Sequence, residues 1–159
     1  MNSPITEEQI RKFAAAWFLA LDVHAPTEEC VKFLADSDLK MIFPEKTLYG
    51  IFDFKAWYAG GTYSDGTRAP GVINIFFDET HNLQSVQPQI SADQANVRVV
   101  VGWQASWVEP PAARSKRTSM TATQQWVLRR SDKNSHGLEI LQYVATAEPF
   151  KYAPGFAQL

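Results

Sequence analysis

The chain has 159 residues, enough for one domain with little room for two. Hydrophobic residues make up 45% of it, which supports a sizeable core. Charged residues make up 20% and the net charge is -2, so electrostatics gives no reason to expect nucleic acid or an anionic membrane as a partner.

The N-terminal Met1-Asn2-Ser3-Pro4 lacks a basic region followed by an apolar stretch and does not read as a signal peptide. No apolar run approaches the length needed to span a bilayer, so the expected location is the cytoplasm. Ile10, Phe13, Ala14, Trp17, Phe18 and Leu21 repeat at helical spacing and predict a helix over about residues 6 to 22. Thr6 and Gln9 fit a capping box at its start, and Pro26 breaks it. A second helix is expected next, burying Cys30, Phe33 and Leu34. Cys30 is the single cysteine, which excludes an intrachain disulfide and a cysteine-ligated metal site. At an apolar helical position it reads as core.

Asp36-Ser37-Asp38 marks a turn, and the run from Leu39 to Phe43 predicts a strand ended by Pro44. Asp53 is the expected N-cap of a third helix, with Phe52 and Trp57 as a hydrophobic staple and Gly60-Gly61 as its stop. Residues 62–71 read as a mobile loop. Strands dominate from there, with His81 placed just before one. Val97, Val99, Val101, Trp103, Ala105 and Trp107 share one face of a long strand. Met120, Ala122, Trp126 and Leu128 repeat the pattern in the next. A last strand sets Leu138, Ile140, Gln142 and Val144 on one face and Glu139, Leu141 and Tyr143 on the other. Segments 91–94 and 131–137 are polar turns. Arg114, Lys116 and Arg117, after Pro110-Pro111, read as a solvated loop rather than a phosphate site. Helices and strands segregate along the chain, which favours α+β over parallel α/β.

No phosphate-binding glycine loop and no nucleophile elbow is present. The histidines, His24, His81 and His136, are far apart in sequence and form no local metal-binding pair. His136 reads as an exposed turn residue, and His24 as a cation at a helix C-terminus. His81 is the candidate for proton transfer, because imidazole both gives and takes a proton near neutral pH; the competing reading is a hydrogen-bonded structural histidine. Aromatic residues make up 13%. Trp17, Phe54, Trp57, Tyr58, Trp103, Trp126 and Tyr143 occupy faces expected to converge, either as a packed core or as the lining of a cavity for an apolar or aromatic ligand.

In this order the elements resemble the nuclear transport factor 2-like superfamily, in its SnoaL-like and scytalone-dehydratase-like branch. The residues that carry the resemblance are Trp17-Phe18-Leu19-Ala20-Leu21-Asp22, the second helix to Ala35-Asp36 and the strand Leu39 to Pro44. The helix at Phe54 to Tyr58, the His81 segment and the three C-terminal strands complete it. The resemblance implies an α+β cone: a curved antiparallel sheet of cystatin-like roll type wrapping three N-terminal helices, as one SnoaL-like domain over residues 1–159. It also implies a pocket at the open end and, in many members, a homodimer through the convex sheet face. Members include polyketide cyclases, ketosteroid isomerases, scytalone dehydratases, dioxygenase small subunits and non-catalytic transport factors, so fold alone does not assign function.

Two catalytic patterns are comparable residue by residue. Ketosteroid isomerases carry a general-base Asp before the Pro that ends the first strand; Phe43 stands there. Their oxyanion-hole Tyr in the first helix falls near Leu19. That chemistry is not expected. Scytalone dehydratase is closer: its Trp-to-Asp spacing resembles Trp17 and Asp22, and its first catalytic histidine aligns with His81. Leu21 and Phe43 replace two tyrosines, and Trp103, followed by Gln104, replaces its second histidine. One acid/base pair is kept, without most of the groups that polarise a carbonyl.

The expected function is a small-molecule pocket protein, a lyase or isomerase moving a proton on a cyclic or aromatic substrate. His81 would move the proton and Asp22 would orient it, with the seven aromatic residues above as ligand contacts. No metal and no organic cofactor is implied. The alternative is a non-catalytic ligand-binding or assembly module acting as a homodimer.

Overall fold

Thr6 starts the first helix, α1 (Glu7–Asp22), through a reciprocal capping box. Its hydroxyl accepts from Gln9 N at 3.1 Å, while its own N–H donates to Gln9 Oε1 at 3.3 Å. The expected stripe from Ile10 to Leu21 is buried. Each of its large side chains contributes about 1.5–3 kcal/mol by leaving water. The structure, a computed structural model, describes residues 3–159. Met1 and Asn2, half of the segment read as lacking an export signal, lie outside the described residues. No helix among the described residues is long and apolar enough to cross a membrane.

After α1 the chain is less helical than its pattern suggests. α2 (Thr27–Cys30) is one turn long and tightens into a 3-10 turn, Val31–Phe33. Leu34 then bridges Ile140, and Ala35 N donates to Ile140 O at 2.9 Å. Pairing with the sheet pulls the backbone out of the helix. Cys30 and Leu34 are buried, and Phe33 only half so. Two short strands follow, β1 (Lys40–Ile42) and β2 (Thr47–Tyr49), paired antiparallel.

α3 (Gly50–Ala59) begins three residues before its expected cap. That start turns Phe52 outward, 65% exposed, so it forms no staple with Trp57. Asp53 is buried instead inside the first turn. Its carboxylate accepts from Tyr49 N at 2.9 Å, Ser64 N at 2.7 Å and Ser64 Oγ at 3.0 Å. It thereby fixes the following loop, which carries a small hairpin, β3 (Gly61–Thr62) with β4 (Arg68–Ala69). Gly71, at φ 88°, is required at the loop's end, because a Cβ there would lie 2.5 Å from Ala59 C. α4 (Val72–Ile75) is a single turn.

The rest is strand: β5 (Phe77–Ser91), β6 (Gln94–Val108), β7 (Ser115–Arg130), β8 (Leu138–Val144) and β9 (Lys151–Tyr152). The main sheet runs β2-β1-β8-β7-β6-β5, with β9 on β7. It is antiparallel except where β1 lies parallel to β8, so it is mixed. β5 was not expected at this length, and His81 lies within it. Register shifts between Phe77 and Thr80, between Leu83 and Ser85, and between Val127 and Leu128 mark the bulges that bend a sheet of this kind.

The last shift corrects the reading of β8. Leu128 pairs with Ile140 but Val127 with Gln142, so Leu141 is the extra residue. Leu138 and Ile140 face the core, the phase flips, and Tyr143 rather than Gln142 is buried. Elsewhere the expected inner faces hold: Val97, Val99, Val101, Trp103, Ala105 and Trp107 are buried on β6. Gln87, Gln89 and Asn96 are exposed on the opposite face. Arg117 sits in β7 rather than in a loop, donating to Asp78 O and Ser106 Oγ. His136 is half-buried rather than exposed, with its ring against Phe13 and Phe33. α1 packs along β5, and the core fills the space between the helices and the inner face of the sheet.

Candidate active-site cavity

Phe18 and Asp22 are one helical step apart and stand on the same side of α1. β5 brings His81 to both. Its ring stacks on Phe18, with centroids 4.9 Å apart and planes 19° from parallel. Its Nδ1 lies 2.6 Å from Asp22 Oδ1, and its backbone N–H donates to Asp22 Oδ2 at 3.0 Å. The two carboxylate oxygens therefore hold one residue at two points. Asp22 accepts from Nδ1–H, which assigns the lone pair to Nε2. Nε2 has no hydrogen-bond partner among the described residues. The side chains are only 10% and 19% exposed, so water screens the pair weakly.

His81 forms part of the wall of a cavity of about 360 Å³, within the range of small-molecule sites. Val101, Met120 and Ala122 from the inner sheet face form one side, and Leu21, Val72 and Phe76 from the helical layer form others. Of the aromatic residues singled out in the sequence, Trp57, Tyr58, Trp103 and Tyr143 line this space. Trp17, Phe54 and Trp126 do not: they lie fully buried in the core behind it. Their polar edges are satisfied by protein. Trp17 Nε1 donates to Tyr143 Oη at 3.4 Å, and Trp126 Nε1 to Gln124 Oε1 at 3.0 Å. Phe54 stacks on Tyr58 at 5.5 Å.

The lining side chains are held in place by neighbours within and behind the wall. Phe43 stacks on Trp57 at 4.0 Å, and Trp57 Nε1 donates to Glu45 Oε1 at 2.7 Å. The Tyr58 hydroxyl donates to Ala25 O at 2.6 Å. Burial pushes the Tyr58 and Tyr143 hydroxyls above the usual tyrosine range, so both stay protonated. Burial likewise raises the Cys30 thiol.

Glu79 was not singled out in the sequence. It lines the cavity with His81, two residues away on the same strand. Its Oε2 accepts from Trp103 Nε1 at 2.7 Å, and its Oε1 lies 3.0 Å from His24 Nε2. The spacing of Glu79 and His81 was the available signal, because alternate residues of a strand share a face. The signal was hidden because the strand was placed after His81, and a register shift adjoins Asp78, at φ 50°. His24 is thus a partner of β5 rather than a simple helix-end cation. Among the described residues, no group of three His, Cys, Asp or Glu side chains stands together as a metal-binding set.

No protein-family model and no curated protein matches the sequence. Solved structures do match it over almost its whole length. A hexachlorocyclohexane dehydrochlorinase, LinA-type3 from Novosphingobium barchaimii, is 13% identical with a TM-score of 0.66, covering 96% of this chain and 93% of its own. A protein from Novosphingobium aromaticivorans named for scytalone dehydratase is 14% identical with a TM-score of 0.66, covering 95% and 94%. A nuclear transport factor 2-like superfamily protein from Salmonella enterica is 14% identical with a TM-score of 0.63, covering 95% and 96%. The chain has the nuclear transport factor 2-like fold. At these identities the shared property is the fold.

Proposed function

We propose that the protein binds a small cyclic or aromatic molecule in this cavity and moves a proton on it, as a lyase or isomerase. The observation that carries the reading is the Asp22–His81 pair, 2.6 Å apart, on the wall of an apolar cavity. Nε2 of His81 takes a proton from substrate carbon. The bonding pair moves to form a double bond, and in an elimination the leaving group departs from the neighbouring carbon with its own pair. Asp22 keeps the imidazole in the required tautomer and stabilises the imidazolium that forms. Trp57, Tyr58 and Trp103 shape the space around the reacting carbon.

Two similar structures support the class, since one is a dehydrochlorinase and the other is named for a dehydratase, and both names denote an elimination. The same dehydration is not proposed here. Phe43 and Leu21 carry no hydroxyl, and the Trp103 N–H is already given to Glu79. A panel of carbon acids with cyclic bodies, incubated with the protein in deuterated water, tests the reading by mass spectrometry. Deuterium uptake or loss of a leaving group is expected with the natural chain and not with His81→Gln. Turnover that survives His81→Gln would sink the assignment.

A further inference from the structure

We propose that the cavity is built for a ligand carrying a positively charged nitrogen on its aromatic or alicyclic body. This rests on the reading of the cavity as a small-molecule site and narrows what enters it. Glu79 presents a carboxylate to the cavity from a side chain only 13% exposed. One N–H engages each of its oxygens: Trp103 Nε1 at 2.7 Å, and His24 Nε2 at 3.0 Å from the far side, outside the lining. A carboxylate offers about four acceptor sites, so two remain. Glu45 adds a second carboxylate to the lining, held by Trp57 Nε1. No lysine or arginine is among the residues that line the cavity.

The aromatic residues complete the preference. Trp57 and Trp103 spend their N–H edges on these two carboxylates; Phe43 covers one face of Trp57, and both rings line the cavity with their remaining surface. Ring faces are electron-rich and attract cations. An anion entering this space meets two like charges and no cation, and leaves its hydration behind uncompensated. A neutral ligand offers Glu79 at most a neutral hydrogen bond, weaker than a charge-assisted one. A cationic nitrogen satisfies the carboxylate and the rings together.

Calorimetric titration of the full chain at neutral pH tests this with three probes of one shape: 1-naphthylmethylamine, 1-naphthylmethanol and 1-naphthoate. The amine is expected to bind about tenfold more tightly than the alcohol, a difference on the scale of one desolvated cation–π contact or charge pair. The carboxylate is expected to bind most weakly. Glu79→Gln should bring the amine down to the alcohol while leaving the alcohol unchanged, and Glu45→Gln should act in the same direction to a smaller extent. Circular dichroism establishes that each variant is folded, and Glu45→Gln carries the test if Glu79→Gln is not. Alcohol or carboxylate binding as tight as the amine overturns the charge preference and leaves the cavity reading in place. So does an amine preference that persists in the folded variants. Failure of all three probes at millimolar concentration overturns both.

Discussion

Replacing Asp22 by Asn changes one atom and should reverse the proton arrangement of His81. The reason is the second contact. The His81 backbone N–H donates to Oδ2 at 3.0 Å, and a backbone N–H has no acceptor role. In Asp22→Asn the amide oxygen must therefore take that position, which turns the amide NH2 toward Nδ1. Nδ1 then becomes an acceptor, and the ring proton moves to Nε2, the atom proposed as base. Exchanging a charge-assisted hydrogen bond at 2.6 Å for a neutral one costs about 1–1.5 kcal/mol. For a domain of this size that is roughly 2–6 °C in melting temperature. Proton transfer should fall by about 100- to 10,000-fold, the usual contribution of a positioned base. Long-range nitrogen–proton NMR on selectively labelled histidine reads the tautomer without any substrate. Protonated Nδ1 is expected in the natural chain and protonated Nε2 in Asp22→Asn. An unchanged tautomer would refute the geometric argument, whatever happens to activity.

Other consequences separate core from cavity. Trp17→Ala should cost about 3–5 kcal/mol in denaturant unfolding, because Trp17 is fully buried among other rings. Trp57→Ala should cost roughly 1–2 kcal/mol, since Trp57 is half-buried, and should weaken ligand binding more than folding. Equal losses of stability would contradict their placement. Gly71→Ala should lose at least about 2 kcal/mol, from a positive φ and a Cβ pressed against Ala59, and a neutral result in thermal melts would contradict it. Stability should also fall in alkali. Tyr58 and Tyr143 keep their protons when folded, whereas unfolded tyrosine loses its proton near pH 10. Below about pH 10 neither contributes; above it the unfolded chain binds fewer protons, and stability drops by about 1.4 kcal/mol per pH unit for each tyrosine. Tyr58→Phe should remove one such increment of slope from denaturant midpoints measured across that range, and an unchanged slope would count against it.

Periodicity made the scaffold legible wherever one face of an element is uniformly apolar. α1 and the inner faces of β6 and β7 are of this kind, and their residues are buried as expected. β5 is not. Its outer positions are polar, its inner ones include Glu79 and His81, and two register shifts break the alternation. The strand that carries Glu79 and His81 was therefore the hardest to read. β8 shows the same effect on a smaller scale, where one extra residue at Leu141 exchanges the faces of Gln142 and Tyr143. Aromatic residue type did not separate Trp17, Phe54 and Trp126 from the residues that line the cavity, because depth is set by how the helices lie on the sheet. The meeting of Asp22 with His81 was suggested by resemblance and has a geometric basis in the 2.6 Å contact. The meeting of Glu79 with His24 and Trp103 had no such guide.

Two carboxylate–imidazole pairs join the end of α1 to β5, and they are wired in opposite senses. In the first, the helix supplies the carboxylate, Asp22, and the strand supplies the imidazole, His81. In the second, the helix end supplies His24 and the strand supplies Glu79. Only the strand members, His81 and Glu79, line the cavity. Each is held from behind by a partner at, or just beyond, the end of α1. The cavity receives one imidazole with a free nitrogen and one carboxylate with free lone pairs, instead of two copies of either. An anion and a base on one strand suit a substrate that brings a positive charge beside the proton it gives up. In the proposed reading the charge would anchor to Glu79 and the proton would go to His81. The end of α1 fixes both partners, so a change that shifts its last turn should disturb anchoring and proton transfer together. Substitutions on the opposite edge of the sheet should leave the two coupled and intact.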